Sequence, residues 1–463
     1  MYSQENSSPA FFPQWARASV LIVALSLAGK GLGLWRELET ARLFGVSTSV
    51  DAFIAASTLI FFVARMASSS FLVSVPRLIV GYREQGEQDN LCGNLFRALL
   101  LVSAGLTVIA ALLLPRLVPV IFAGLGDAGQ HLMVRLIGWM LPLVAGWTLI
   151  GALGGVLNAQ HRYGGYQVAL LVANVGVLAV LWLIGRQAGI TALAGGWSVG
   201  IWVGVGVLAL LLRAELPKVW KWNSWRSQWR ALRALLGEAN GLFIWFVLTQ
   251  MPIWIDRYFA AQLAPGSLSA LGYAQRLFQL PLEMVTAVVM SVWVTRVAEM
   301  PADLVARRTF ALMAKLAMVT FPVAGVLALL ARPIVTLIYA RGAFDVRAVA
   351  VTTGPFAMYA VGLGFHTLSA VMTRTFQVRG FLRYPILVAV IDIPLTGMLD
   401  AWAISRGWEA TGIAAVNFFV AAINLGILVA CGYLVINKRG LSLLFSTTER
   451  HEKYEVRKEF RNG

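Results

Sequence analysis

The sequence predicts an all-α polytopic membrane protein, with about twelve transmembrane helices in two six-helix halves around a central cavity. Composition is the first observation behind this prediction: of 463 residues, 59% are hydrophobic and 13% charged, and the mean hydropathy is +0.73. Soluble domains carry about 25% charged residues. The second observation is that apolar stretches of the roughly 20 residues needed to cross a bilayer recur along almost the whole chain. A long polar segment in mid-chain is the third, because it separates these stretches into two sets of six.

Hydropathy places the spans in order along each half, with short polar segments between them. The twelve predicted spans are 18–35, 50–76, 97–121, 132–157, 165–185, 192–212, 239–262, 269–295, 309–331, 348–372, 384–404 and 410–436. The predicted organisation is therefore an N-terminal segment 1–17, an N-terminal lobe 18–212, a connector 213–238, a C-terminal lobe 239–436 and a basic tail 437–463.

The distribution of cations predicts the orientation of the chain. With both termini in the cytoplasm, the cytoplasmic segments hold 24 of the 38 Lys and Arg residues and the external segments hold 9. Membrane proteins concentrate Lys and Arg on the cytoplasmic side, where anionic lipids attract them. The net charge of +16 therefore reflects topology and contact with anionic lipids, and it does not indicate nucleic-acid binding.

The connector has the pattern of an amphipathic helix that lies in the membrane interface. Its tryptophans and arginines each recur at helical spacing, on adjacent faces. These residues are Trp222, Trp225, Trp229, Arg226, Arg230 and Arg233. Tryptophan rings at headgroup depth and arginines on lipid phosphates are typical of such helices. The alternative is a simple tether between the two lobes.

The sequence carries none of the short motifs of phosphate-binding loops, paired-cysteine sites or zinc hydrolases. Its predicted external loops are also short, which argues against a membrane enzyme with an extracellular catalytic domain. We therefore expect a transporter without a cofactor or a bound metal.

Ionisable residues inside or at the ends of apolar spans are the candidate functional residues, because each cation there costs about 2.5–3.5 kcal/mol if it faces lipid. They are Lys30, Arg36, Asp51, Arg65, Asp256, Arg257, Arg276, Glu283, Lys315 and Asp392. Cations outnumber acids in this set, which predicts a wet cavity for an anionic cargo. The acids Asp51, Asp256 and Glu283 are the candidates for binding a coupling ion or for balancing neighbouring charge.

Three segments carry a family resemblance. The segment GKGLGLWRELETARLFGVSTSVDAF (29–53) resembles the first two helices of the MurJ (MviN) lipid II flippases, members of the MOP superfamily of multidrug, oligosaccharidyl-lipid and polysaccharide exporters. GSLSALGYAQRLFQLPLEM (266–284) is similar to the family's Tyr-Ala-Asp-Arg-Leu stretch. LIYARGAFD (337–345) is similar to an external loop of the same family.

The resemblance implies a MOP-type fold in the bacterial cytoplasmic (inner) membrane. It also implies a flippase, functional as a monomer, that moves an undecaprenyl-pyrophosphate-linked saccharide from the cytoplasmic to the periplasmic leaflet by alternating access. Lipid II or a related cell-envelope glycan precursor would be the cargo, and an unidentified ion or the membrane potential would drive the cycle. The positions that match the family's pyrophosphate-binding arginines are Lys30, Arg36, Arg65 and Arg276.

Several departures from the family pattern keep other cargoes open. The family's Glu-Gly-Ala-Phe reads Ser-Ser-Ser-Phe at 68–71, Gln275 replaces Asp, and Lys30 replaces Arg. The family also implies two spans beyond the twelve predicted. The alternatives are a flippase for an exopolysaccharide or O-antigen repeat unit, and a MOP-type drug or cation antiporter.

Overall fold

The computed structural model describes residues 11–84, 88–213 and 225–437, and every regular element in these ranges is helical. A single turn of 3-10 helix, Ala123–Leu125, precedes α4. The first seven α-helices are α1 (Phe11–Phe44), α2 (Thr48–Glu84), α3 (Gln88–Ile121), α4 (Gly126–Met140), α5 (Pro142–Ala159), α6 (Gly164–Ala188) and α7 (Ile190–Leu211). They are followed by α8 (Trp225–Ala260), α9 (Ser267–Glu299), α10 (Ala302–Leu329), α11 (Ala331–Tyr339), α12 (Val346–Val361), α13 (Leu363–Val378), α14 (Arg383–Ser405) and α15 (Glu409–Asn437).

The helices have the length and surface of membrane spans. Within the described residues, 8 helices are long and apolar enough to cross a bilayer, or up to 11 if each bent pair is one span. Large apolar side chains lie open on their surfaces, among them Leu183 (76% exposed) and Leu329 (85%). Exposure of large apolar side chains is unfavourable in water, whereas contact with lipid tails stabilises them. The predicted all-α polytopic fold is confirmed, while the count of twelve spans stays a prediction.

Two compact units make up the chain. The first holds the described residues up to Tyr273, together with Arg332–Thr353 and Ile404–Ala410. The second holds Ala274–Ala331, Gly354–Ala403 and the described residues from Thr411 onward. The lobe boundaries predicted from the sequence, 18–212 and 239–436, stay a prediction.

Close helix packing builds the first unit. Helix α2 packs against α5, α6 against α7, and α1 against α6. A Cβ atom at Gly151 would lie 2.2 Å from the carbonyl oxygen of Ser68, and one at Gly200 would lie 2.3 Å from that of Ala173. Such backbone proximity is how helices gain packing energy in lipid, where the hydrophobic effect does not drive them together. The helices that carry Arg36 (α1) and Arg65 (α2) are thus held in a tightly packed body.

The turn after α1 is fixed by contacts within the first unit. Gly45 has a φ of +57°, and a Cβ atom there would lie 2.2 Å from the carbonyl oxygen of Ala343. The Tyr273 hydroxyl donates to the Gly45 carbonyl at 3.1 Å, and the Ala343 amide donates to the Arg42 carbonyl at 2.8 Å. Only glycine fits this position without strain.

The second unit has its own core. Helix α10 packs against α13, and Trp293, Val371, Met372 and Phe376 are buried together there. The Trp293 indole N–H donates to the Thr375 hydroxyl at 3.0 Å, which satisfies a buried polar group in an otherwise apolar cluster.

Candidate functional site

Arg36 of α1 is buried in the first unit, with 7% of the residue exposed. Its Nη1 donates to Oδ1 of Asn174 at 2.6 Å and its Nη2 to Oε1 of Glu37 at 3.0 Å. The amide of Asn174 is oriented by its own bond to the Leu170 carbonyl, at 3.0 Å. The Arg36 guanidinium also lies 4.1 Å from the centre of the Trp197 ring. A buried guanidinium needs this number of partners to persist in a membrane helix.

Arg65 of α2 is exposed, although it lies within the span Thr48–Val80. Its guanidinium is 5.2 Å from the centre of the Phe61 ring and 5.6 Å from that of Trp147. An exposed cation inside a membrane span avoids the cost of facing lipid only by facing water or an anion. Arg65 therefore marks a wet face of the first unit.

Arg36 and Arg65 are connected through aromatic rings. The Phe61 and Trp197 rings meet edge to face, with their centres 4.8 Å apart. Each of the two rings also contacts one of the two arginines. The structure thus links two of the four predicted pyrophosphate ligands, on α1 and α2, through one ring of α2 and one of α7.

Lys30 lies on α1 but not on the same face as Arg36. Their positions differ by six residues, so their side chains point about 120° apart around the helix axis. Lys30 is half-buried. At the neighbouring Gly29, Gly31 and Gly33, an added Cβ atom would find no described atom within 4 Å. Helix α1 runs unbroken through these three glycines.

Asp51 is a helix cap. It is 2% exposed, and its carboxylate accepts the backbone amides of Gly266 at 2.6 Å and Ser269 at 2.6 Å. These amides belong to the N-terminus of α9, where helix N–H groups lack partners within the helix and the dipole favours a negative charge. Both oxygens of Asp51 are therefore committed to the backbone of the first unit.

Asp256 and Arg257 are both buried near the end of α8, at 4% and 7% exposed. The Arg257 Nη1 donates to the carbonyl oxygen of Leu268 at 3.5 Å. Arg257 therefore helps to hold the first turn of α9, close to the amides that Asp51 caps.

Arg276 and Glu283 lie on α9 within the second unit, and both are exposed. Both positions lie inside an apolar helix pair, Ser267–Ala287 with Val292–Glu299, that bends by 40°. As with Arg65, exposed charges at such positions indicate a face that does not contact lipid.

Part of the predicted interfacial helix, from Trp225 onward, lies inside the described residues. Trp225 is the first residue of α8, and the chain bends by 52° between Trp229–Glu238 and Phe243–Ala260. Trp229, Arg230 and Arg233 are exposed. Trp222 and the side chains of Trp225 and Arg226 lie outside the described residues.

Sequence reasoning did not identify Asn174, Trp197, Phe61 and Trp147, the residues that contact the two arginines. Tryptophan and phenylalanine in an apolar span are ordinary packing residues, so no signal distinguished these three. Asn174 did carry a signal, since a side-chain amide inside an apolar stretch needs a partner in the membrane.

Within residues 11–84, 88–213 and 225–437, no three His, Cys, Asp or Glu side chains come close enough together to hold a metal ion. The arrangement in the first unit offers guanidinium groups, which bind anions such as phosphates through paired hydrogen bonds. A polytopic helical body with cations inside its spans has the architecture of a membrane transporter.

Comparison with known proteins specifies the kind of transporter. The family described as lipid II flippase MurJ matches residues 40–448. A relative from Thermotoga maritima, named "Probable lipid II flippase MurJ", is 26% identical over 406 residues, which are 84% of this chain and 80% of that protein. The chain belongs to the lipid II flippase MurJ family.

Solved structures share the fold. The structure of a "Lipid II flippase MurJ, inward closed conformation" matches with a TM-score of 0.76 and 19% identity, covering 92% of each chain. An inward-facing multidrug resistance MATE family transporter of the MOP superfamily matches with a TM-score of 0.71 and 13% identity, covering 93% of this chain and 99% of the other. The predicted MOP-type fold is therefore confirmed.

Proposed function

We propose that this chain flips lipid II, an undecaprenyl-pyrophosphate-linked saccharide, from the cytoplasmic to the periplasmic leaflet of the bacterial inner membrane by alternating access. The match of residues 40–448 to the lipid II flippase family is the observation that carries this proposal. The protein acts as a transporter and not as an enzyme. It works as a monomer, and its cycle is driven by an ion gradient or by the membrane potential.

Arg36 and Arg65 bind the pyrophosphate in the first unit, with Lys30 in support. A role for Arg276 in the same binding stays a prediction from the sequence. A pyrophosphate diester carries about two negative charges, and a planar guanidinium offers its oxygens paired N–H donors. The exposed Arg65 makes the first contact with the cargo. Arg36 is buried and engages a phosphate oxygen by exchanging one of its bonds to Asn174 or Glu37.

The acids balance charge and stabilise structure. Asp51 binds two backbone amides, so neither of its oxygens serves a transported ion in this conformation. Asp256 and Glu283 reduce the positive charge of the membrane interior. On the cytoplasmic side, the exposed Trp229, Arg230 and Arg233 bind anionic lipid headgroups.

Complementation tests the cargo. In a strain depleted of its own lipid II flippase, the wild-type chain should restore growth, and the Arg36→Ala, Arg65→Ala double variant should not. Arg116→Ala is the matched control, because Arg116 is an exposed arginine of a membrane helix that bonds to its own helix at the Leu112 carbonyl, 3.0 Å away. Growth with the double variant at the wild-type level would exclude the arginine site. A correctly inserted wild-type chain that never complements would favour the exopolysaccharide repeat unit as cargo.

A further inference from the structure

The aromatic residues between the two arginines have a specific arrangement. We propose that Phe61 and Trp197 are positioning residues that hold the guanidinium groups of Arg36 and Arg65 ready as one two-point receptor for pyrophosphate. This inference rests on the proposed function, since it concerns the same cargo. It assigns a role to side chains that do not themselves contact the phosphate.

The contacts form a continuous series across three helices. The Arg36 guanidinium lies 4.1 Å from the Trp197 ring centre, Trp197 meets Phe61 at 4.8 Å, and Phe61 lies 5.2 Å from the Arg65 guanidinium. Phe61 and Arg65 are four residues apart on α2, so their side chains lie on one helix face. A second ring, Trp147, contacts Arg65 from α5 at 5.6 Å.

Aromatic rings suit this role better than carboxylates do. Two guanidinium groups repel each other, and the Glu37 carboxylate offsets part of the charge of Arg36 through a salt bridge of 3.0 Å. Each further carboxylate would offset more of the charge that the cargo must meet. The face of a ring attracts a cation with about 0.5–2 kcal/mol but leaves its charge and its N–H donors in place. The amide of Asn174 also leaves the charge of Arg36 in place, since it is a neutral acceptor, but it occupies one N–H donor.

Positioning also reduces the entropic cost of binding. A free arginine side chain carries about 2 kcal/mol of rotamer entropy, which is lost when it closes on a phosphate. A guanidinium that already rests on a ring has lost part of that freedom before the cargo arrives. Preorganisation of this kind raises affinity without adding a contact to the ligand.

Substitutions at Phe61 separate this role from ordinary packing. The probe is undecaprenyl pyrophosphate, titrated against the full chain in lipid nanodiscs. Loss of the cation–ring contact should make Phe61→Leu weaken binding about 3- to 10-fold, whereas Phe61→Tyr keeps the ring and should stay within about 2-fold of wild type. Phe62→Leu is the matched control: Phe62 is the next residue, and its ring packs on Phe246 and Trp254. It should bind as wild type does.

A double-mutant cycle tests whether Phe61 acts through Arg65. In an Arg65→Ala background, Phe61→Leu should cause a smaller loss of binding than in the wild type, because only the contact of Phe61 with Trp197 then remains to act on Arg36. An equal loss in both backgrounds, or equal losses for Phe61→Leu and Phe62→Leu, would overturn the positioning role. If Arg65→Ala weakens binding but Phe61→Leu does not, the positioning role fails and the proposed function survives. If Arg65→Ala itself binds as wild type does, the proposed arginine site fails, and the positioning role fails with it.

Discussion

Replacement of Asp51 by asparagine should destabilise the protein and leave transport by the folded molecules intact. The carboxylate accepts two backbone amides, each at 2.6 Å, and is 2% exposed. Asparagine keeps one acceptor oxygen but turns an NH2 group toward the second amide. One charge-assisted hydrogen bond is lost, and a buried donor is left without an acceptor.

The magnitude follows from these contacts. A hydrogen bond to a charged group contributes about 1.5–3 kcal/mol, and a negative charge at a helix N-terminus contributes about 0.3–1 kcal/mol more. We therefore expect Asp51→Asn to lower the free energy of unfolding by about 2–4 kcal/mol. Asp127 offers a matched control, because it is an exposed acid in the first turn of α4. Its change to asparagine should cost less than about 0.5 kcal/mol.

Two measurements on the same purified samples decide the role of Asp51. Thermal unfolding in nanodiscs, followed by tryptophan fluorescence, should show a lower midpoint for Asp51→Asn than for wild type. Flipping in proteoliposomes, normalised to folded protein, should remain within about 2-fold of wild type, because the cap does not contact the cargo. An unchanged midpoint together with abolished flipping would refute this reasoning and would assign Asp51 to the coupling ion.

Three further predictions concern charge and topology. Arg36→Lys keeps the charge but loses the planar fork, so flipping should fall about 10-fold, while Lys30→Arg should keep the wild-type rate; both are measured in proteoliposomes. In a cysteine-free background, a cysteine at Val346, which is 77% exposed, should react with a membrane-impermeant thiol reagent added to whole cells, and one at the exposed His161 should not. Labelling at position 161 from outside would reverse the predicted orientation. Glu283→Gln should retain transport if Glu283 only balances charge, and a loss of transport with normal insertion would contradict that role.

Much of the fold was predictable because the bilayer imposes simple rules on a sequence. Apolar length specifies spans, and a cation inside a span is rare enough to be noticed. The bends were not predictable in the same way. The predicted span 348–372 is in fact two helices, Val346–Val361 and Leu363–Val378, that meet at 44°. The mean hydropathy of a stretch shows that it is long and apolar enough to cross the bilayer, but it carries no information about where the helix axis bends.

The site was predictable in its charges and not in its supporting contacts. Arg36 and Arg65 were identified because each is expensive in lipid, but Trp197 looks like any packing residue in an apolar stretch. The role of Asp51 depends on a contact with Gly266, 215 positions away. An acid in a span is compatible with an ion carrier and with a helix cap, and only the three-dimensional contact separates the two.

Flipping by the reconstituted protein tests the central claim most directly. Proteoliposomes containing the full chain and fluorescent lipid II are assayed for exposure of the label to a membrane-impermeant quencher. We expect the wild-type chain to move lipid II, and the Arg36→Ala, Arg65→Ala double variant, inserted to the same level, to be slower by about 100-fold, since two charge-assisted contacts of about 1.5 kcal/mol each are lost. Equal rates for the two proteins would contradict the account.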